Sequence, residues 1–495
     1  MSMDRQIRRL AFALIALFVV LLVQVNYLQV FAADRLANHP RNSRLIILEY
    51  RVDRGDILAR DAQTRLAFSR PSRGVLKFLR RYPEPALYAG VTGHYSVVYG
   101  RSELEEAYND FLAARAEELL PSTLVDLLFG RRKRGATVIT TIDSQLQRVA
   151  SEGLAGRPGA VAAIDPRSGQ VLALVSNPSY DPNQLSSHDT RIVRAAWRQL
   201  NADPDKPLIS NANDELHAPG STFKMITAAA ALENGMTPQT EFPNPPTLDL
   251  PQTTVNLANA GGVHCNGGAD SITLFDAFVE SCNVTFGGIG LRLGAEALRE
   301  QAQRFGFAGN VPFDIRFAEG RFPPVEFFED RQPAVAFSAI GLQDIGTNPL
   351  GMALVAGAIG NDGVMMEPQL VLEVRDPRGL PIREFREREY GRPVSAQTAQ
   401  SLQAMMEAVV SSGTGTAAQI PGFRVAGKTG TALLGEGIPP HVWFTAFAPV
   451  DDPVIAVSAV LLNGGGSGSE ASGGTVAAPV VRAVLEAALS RTGSG

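Results

Sequence analysis

The sequence predicts an α/β fold: an antiparallel sheet with helices on its faces and a helical subdomain beside it, preceded by one transmembrane helix and a small α+β domain. Three observations predict it. From Leu10 to Ala33 the chain carries no charged residue, a length that crosses a bilayer as a helix. Apolar, β-rich runs at Ala160 to Ile164 and Gln170 to Val175 flank Asp165-Pro166-Arg167-Ser168-Gly169, which has the turn chemistry of a hairpin. Three further strand candidates, Arg424 to Thr431, Val442 to Ala448 and Val454 to Leu462, lead into a helical pattern from Ala478 to Leu489. Helices between Gln145 and Val410 supply most of the second subdomain.

Arg5, Arg8 and Arg9 precede the apolar stretch, so the positive-inside rule keeps residues 1–9 cytoplasmic, makes 10–33 a signal anchor and puts everything after it outside. A cleavable signal peptide is the alternative, with Val30-Phe31-Ala32 as its cleavage site, but the stretch is long for one. Gln24, Asn26 and Gln29 near its outer end mark the interface or face a partner helix. Residues 34–142 then form a small α+β domain, with Arg54-Gly55-Asp56-Ile57-Leu58 and a helical pattern from Ser102 to Leu120. Residues 143–490 form the main domain, and 491–495 a flexible tail.

With 495 residues, 45% of them hydrophobic, the chain can bury a full-sized core. A net charge of -5 leaves no nucleic-acid footprint, and the basic run Arg131-Arg132-Lys133-Arg134 reads as a solvated linker. No histidine pair at ligand spacing points to a metal, so Phe327-Phe328-Glu329-Asp330 reads as a solvated turn with anchoring aromatics. Cys265 and Cys282 lie in one region of an exported domain, where a disulfide is permitted. Two unpaired thiols are the alternative, and spacing leaves both open. The Gly- and Ser-rich run Gly464 to Gly474 reads as a mobile loop at the edge of the site or a disordered connection.

Lysine is scarce and therefore informative. Only Lys77, Lys133, Lys206, Lys224 and Lys428 occur, and a chain that uses arginine wherever a cation suffices retains lysine where the amine must lose its proton or fit a compact site. Lys224 closes Ser221-Thr222-Phe223-Lys224, and Lys428 opens Lys428-Thr429-Gly430-Thr431. Ser281-Cys282-Asn283 lies between them. A serine hydroxyl needs a neighbouring base, and a lysine three residues on shares its helix face. Pro219-Gly220 suits a helix start, whose dipole favours developing negative charge. Lys224 acts as a base only when partly neutral, which burial and a nearby cation such as Lys428 promote. Strand alternation puts Lys428 on one face and Thr429 and Thr431 on the other, so the two hydroxyls bind a substrate carboxylate while Lys428 reaches Ser281.

Residues Gly422 to Thr429 also fit G-x-x-x-x-G-K-T, a phosphate-binding loop that should follow a strand and open a helix. Here Ser411 to Pro421 is turn-rich, and Gly430, Gly435, Gly437, Pro439 and Pro440 follow. The context is wrong for it.

The ordered set S-x-x-K, S-x-N and K-T-G, with Ala218-Pro219-Gly220 before the first and His441-Val442-Trp443-Phe444-Thr445-Ala446-Phe447-Ala448-Pro449 after the last, resembles the penicillin-binding transpeptidases and serine β-lactamases. Arg54, Gly55 and Ile57 match the R-G-x-I of the pedestal, or dimerisation-like domain, of class B penicillin-binding proteins, and the pedestal's shortness resembles the small actinobacterial members. The order Arg60-Asp61 departs from the family's Asp-Arg without touching the chemistry. The resemblance implies that Ser221 attacks the carbonyl between two D-alanines of a peptidoglycan stem peptide and that a neighbouring stem's amine takes the acyl group. Ser281 would relay a proton, Asn283 would orient Lys224, Thr429, Gly430 and Thr431 would bind substrate, and the N–H groups of Ser221 and Thr431 would form the oxyanion hole. It implies no cofactor, acylation by β-lactam antibiotics, and a membrane glycosyltransferase of the shape, elongation, division and sporulation type as partner. His441 reads as a packing or rim residue. Two alternatives remain: a β-lactamase or β-lactam sensor, although no E-x-x-L-N follows Ser281, and a scaffold that activates a membrane glycosyltransferase.

Overall fold

The computed structural model describes residues 3–31, 47–119, 133–435 and 437–492. The start of the chain, the end of the expected anchor with its Ala32 cleavage position, residues 34–46, Leu120, Arg131, Arg132 and 493–495 lie outside the described residues. A helix over Met3–Asn26 runs on through a wider turn at Tyr27–Phe31. Gln6–Gln29 is long and apolar enough to cross a membrane, and none of its most apolar stretch is buried against the rest of the chain. Asn26 satisfies its own amide by donating to the Leu22 carbonyl, 2.8 Å away.

The central sheet has five antiparallel strands, in the order Ala426–Ala432, His441–Ala448, Ile455–Leu461, Gly159–Ile164, Val171–Asn177. Its middle strands are buried along their whole length, which is why they read as continuous apolar runs instead of alternating ones. Ser144–Leu154 and Ala478–Thr492 cover one face, and Pro349–Gly360 and Ala396–Ser411 cover the other. The predicted hairpin closes as expected: Asp165 Oδ1 accepts from the Arg167 N–H, and Gly169 turns with φ +78° where a Cβ would lie 2.1 Å from the Glu367 carbonyl. Only glycine fits there.

The first part of the chain is built differently from its sequence pattern in two places. Its sheet has six strands, in the order Pro381–Glu384, Val371–Arg375, Thr137–Thr140, Ile57–Leu58, Arg65–Pro71, Phe78–Arg81. The hairpin at 371–384 comes from deep in the second part and pairs Val374 with Val138, so the two parts share one sheet across residues 142 and 143. Tyr108 Oη donates to Asp314 Oδ1, and Asp314 Oδ2 accepts from the Leu370 N–H, which ties the same seam.

The helix expected from Ser102 to Leu120 is broken into Glu103–Ala107, Asn109–Leu112 and a turn at Glu117–Leu119. The carbonyls of Phe111 and Leu112 accept from the N–H groups of Ala136 and Gly55, and Ala114 turns left-handed at φ +55°. Tertiary hydrogen bonds take the carbonyls that a longer helix would have used. Arg54 and Arg80 both bond the fully buried Glu105 carboxylate at 2.6 Å, and Asn109 Oδ1 accepts from Arg54 at 2.8 Å.

The run from Gly464 to Gly474 is a tightly turned segment, with Asn463, Gly464, Gly465 and Gly466 all at positive φ. A Cβ on Gly473 would lie 2.1 Å from the Trp443 carbonyl and 2.7 Å from that of Gly430. Glycine is needed there because the segment packs directly on the sheet.

Glu105→Gln would leave the buried Arg80 guanidinium without its anion and Arg54 with only Glu49, 3.9 Å away, which costs about 3–5 kcal/mol. The expected outcome is a lower urea midpoint for the first unfolding transition of the full chain, followed by far-UV circular dichroism; an unchanged midpoint would show that the network is not structural.

Candidate active site

Ser221 lies in a tight turn, Gly220–Phe223, that feeds the helix Lys224–Glu233. Gly220 has φ +54°, donates its N–H to the Gly341 carbonyl at 3.0 Å, and leaves no room for a side chain, since a Cβ would sit 2.5 Å from the Thr431 carbonyl. The Ser221 turn is thereby pressed against the edge strand Ala426–Ala432. Trp443 Nε1, from the next strand, donates to the Ala218 carbonyl at 2.9 Å and fixes the chain just before the turn.

The second motif occupies a sharp junction between the helices Leu274–Val279 and Asn283–Arg304. Ser281 is left-handed, φ +64°, a conformation that costs a non-glycine residue on the order of 1 kcal/mol and recurs at functional sites. The N–H groups of Ser281 and Cys282 bond the Phe278 and Ala277 carbonyls at 3.2 and 2.8 Å. Cys265 and Cys282 are joined in a disulfide, which ties the neighbouring loop to this junction. They form with Glu280 the one grouping among the described residues compact enough for a metal, and their sulfurs are already spent on each other.

The three motifs meet through two lysines. Lys224 Nζ donates to the Ser281 carbonyl at 2.6 Å and to Asn283 Oδ1 at 2.8 Å, with Ser281 Oγ at 3.4 Å. Lys428 Nζ donates to Ser281 Oγ at 2.9 Å and to the Thr429 carbonyl at 3.2 Å. Asn283 is held from its other side by donating Nδ2 to the Ala258 carbonyl at 3.2 Å. Both lysines are completely buried, and neither has a carboxylate within 4 Å among the described residues. Burial, with the Lys428 charge added to it, pushes the Lys224 amine well below its ordinary range, and burial lowers Lys428 to about 7.

A neutral amine has two N–H donors and one lone pair. The Ser281 carbonyl and Asn283 Oδ1 use both donors of Lys224 and leave its lone pair to accept a proton. Ser221 makes no hydrogen bond to Lys224 in this arrangement, so Ser221 is brought to the site by the helix turn, whereas Lys224 joins the second motif by direct contact. Thr429 is buried and Thr431 half-buried on the edge strand. A Cβ on Gly430 would meet the Pro219 carbonyl at 2.7 Å.

Three neighbours have no signature in the sequence pattern. Thr414 Oγ1 bonds Thr429 Oγ1 at 2.7 Å, and its Gly413-Thr414-Gly415 context signalled only a turn. Phe286 and Phe278 place their rings 5.4 and 5.6 Å from the amines of Lys224 and Lys428. His441 stacks edge-on against His217 at 5.3 Å and accepts from the Asn463 N–H, a rim position away from the amines. The phosphate-loop pattern at Gly422 to Thr429 is overturned, because Lys428 sits in mid-strand and no helix follows it.

An antiparallel sheet with helices on both faces, carrying a serine at a helix start and two buried lysines around a second serine, defines a serine acyltransferase of the penicillin-binding type. The chain matches the family described as penicillin binding protein transpeptidase domain over residues 159–486 and that described as penicillin binding protein A dimerisation domain over 54–138. It belongs to the class B penicillin-binding proteins. Within that class it is 40% identical, over 99% of its own length and all of the relative's, to the peptidoglycan D,D-transpeptidase PbpA of Mycolicibacterium smegmatis, and 40% identical over 98% of its length and 99% of the relative's to PbpA of Mycobacterium tuberculosis. The solved penicillin G acyl-enzyme complex of penicillin-binding protein A from M. tuberculosis superposes with a TM-score of 0.83 at 39% identity, covering 88% of this chain and 100% of that one.

Gly220→Ala would force the Ser221 turn off the edge strand, and a misplacement near 1 Å can cost about 10²-fold in rate. The expected result is acylation by penicillin slowed on that order with the far-UV spectrum unchanged; wild-type acylation would show that the seam does not position Ser221.

Proposed function

We propose that this chain is a membrane-anchored peptidoglycan D,D-transpeptidase that works through a Ser221 acyl-enzyme. The observation that carries this reading is the hydrogen-bonded chain Lys428–Ser281–Lys224–Asn283, buried without a counter-ion among the described residues, one helical turn from Ser221. Lys224 accepts the Ser221 hydroxyl proton on its lone pair while Oγ bonds to the carbonyl carbon between the two D-alanines. The N–H groups of Ser221 and Thr431 stabilise the oxyanion. As the carbon–nitrogen bond breaks, the leaving amine of the terminal D-alanine takes a proton from Ser281 Oγ, which regains one from Lys224. The acceptor stem's amine then attacks the ester and its proton returns by the same path, so Ser221 is restored and the cross-link is an amide.

The missing counter-ion supports carboxylate recognition. A buried cation unpaired in the free site is stabilised when the terminal carboxylate of the stem, or of a β-lactam, binds beside Lys428, Thr429, Gly430 and Thr431. The lack of a carboxylate beside either amine also disfavours the β-lactamase reading, which needs fast deacylation. The sequence boundaries 34–142 and 143–490 describe pedestal and catalytic domain, with the hairpin at 371–384 lent to the pedestal sheet. The charge bias before Leu10 supports a cytoplasmic N-terminus and an extracytoplasmic catalytic domain. A polytopic membrane glycosyltransferase is the partner this topology suits. Scaffolding of such an enzyme is compatible with catalysis and would survive loss of Ser221.

Intact-mass analysis of the full chain with penicillin G is expected to show one covalent adduct, absent in Ser221→Ala. A folded protein that takes no adduct would contradict the acyl-enzyme, and rapid drug turnover would favour a lactamase. Lys224→Ala should slow acylation by about 10²–10⁴-fold.

The pH profile has a defined sign. Acylation of the free enzyme needs neutral Lys224 and charged Lys428, so the rate should fall as acid protonates Lys224 and fall again on the alkaline side as Lys428 loses its proton near 7. Lys428→Gln should slow the reaction and remove the alkaline limb; a wild-type profile flat from pH 6 to 9 would refute the charge assignment.

A further inference from the structure

We propose that a basic face of the pedestal and its neighbouring helix lies against an anionic membrane surface, an inference that rests on the membrane-anchor reading above. The face has two parts. The hairpin between the strands Arg65–Pro71 and Phe78–Arg81 exposes Arg70, Arg73 and Lys77. The helix Thr190–Ala202 exposes Arg191, Arg194 and Arg198, a spacing of three and seven residues that aligns them on one side.

The two parts are adjacent. His188, just before the helix, bonds the Phe78 carbonyl at 3.1 Å, and Asn183 exchanges hydrogen bonds with the backbone of Tyr82 at 3.1 and 3.0 Å. Arg81 lies on the strand between them, its pKa lowered first by burial and then by the nearby Arg70 charge, and its buried Nε has no hydrogen-bond partner. The acidic groups on this face are Asp181, which attracts Arg81, and Asp189, which pairs with Arg191 at 2.9 Å. Among the described residues Arg70, Arg73, Lys77, Arg194 and Arg198 have no acidic partner within 4 Å.

Large apolar side chains stand among these cations. Val75, at the hairpin tip, is 59% exposed, and Ile192, on the helix, is 50% exposed. Basic residues interleaved with exposed apolar ones suit an anionic lipid interface, where the charges meet headgroups and the apolar groups enter the boundary. The position in the chain agrees. The N–H groups of Lys77 and Phe78 both bond the carbonyl of Tyr50, at the start of the folded body and 19 residues beyond the last residue of the apolar helix, Phe31 (50 − 31). A folded body tethered this way meets the same bilayer at high effective concentration.

The test uses the full chain in nanodiscs of phosphatidylcholine alone or with phosphatidylglycerol. An environment-sensitive dye is placed on Val75→Cys, on Ile192→Cys and, as a remote control, on Leu380→Cys; the native cysteines are bonded to each other and do not react. The expected result is a blue shift at positions 75 and 192 only in the phosphatidylglycerol discs, reversed by high salt and by the triple change Arg73→Glu, Arg191→Glu, Arg194→Glu, with penicillin acylation unchanged. Incorporation without a shift at 75 and 192, or a shift equal to that of the control, would overturn the proposal while leaving the anchor intact. Failure to enter either disc would overturn the anchor and this proposal together.

Discussion

Two lysine amines buried around one serine hydroxyl, with no carboxylate beside them among the described residues, are the constraint on which the rest of the structure depends. Two ammonium groups in so dry a site repel strongly, and each loses its hydration. Lys224 adds the repulsion of Lys428 to its own burial, which lowers its pKa, and the proposed mechanism makes it the amine that gives up its proton. In the proposed mechanism Lys428, lowered by burial alone to about 7, is the partner that supplies positive charge. On the proposed reading, nucleophile activation and substrate charge recognition are two consequences of one electrostatic arrangement.

The arrangement draws on segments more than two hundred residues apart, so the fold must hold them to a few tenths of an ångström. It does so with close backbone approaches that tolerate no side chain at Gly220, Gly430 or Gly473. At Ser281 it accepts left-handed backbone, bracketed by hydrogen bonds on one side and the Cys265–Cys282 bridge on the other. Phe278 and Phe286 line the amines with ring faces, which exclude water and offer a weak attraction to whichever amine is charged. The sheet behind them is buried on both sides and supplies the stiffness.

Much of this was legible in the chain. The five central strands announced themselves as short β-branched and alanine-rich runs with turn residues between, and the scarcity of lysine singled out Lys224 and Lys428. What stayed hidden depends on contacts between distant residues. The Ser102 to Leu120 pattern is helical in propensity, yet the carbonyls of Phe111 and Leu112 are taken by strands before and after it. The hairpin at 371–384 has half-exposed, charged strands whose partner at 137–140 cannot be read locally. In the glycine-rich run at 464–474, the close packing of Gly473 on the Trp443 carbonyl was not legible, because glycine locally signals only conformational freedom. Thr414 carries no periodicity or motif and is recognisable only once Thr429 lies beside it.

The central claim concerns proton occupancy, and the small number of lysines makes it directly observable. In full-length protein labelled at the lysine side chain, five amine-linked resonances are expected, with those of Lys224 and Lys428 assigned by substitution to Arg. Titration by NMR should show these two losing their protons well below the ordinary lysine range, Lys224 before Lys428, with Lys428 shifting upward when a carboxylate-bearing β-lactam acylates Ser221. If all five titrate together near the unperturbed value of about 10.4, the buried pair is fully charged in the free site and the account of Lys224 as base is wrong.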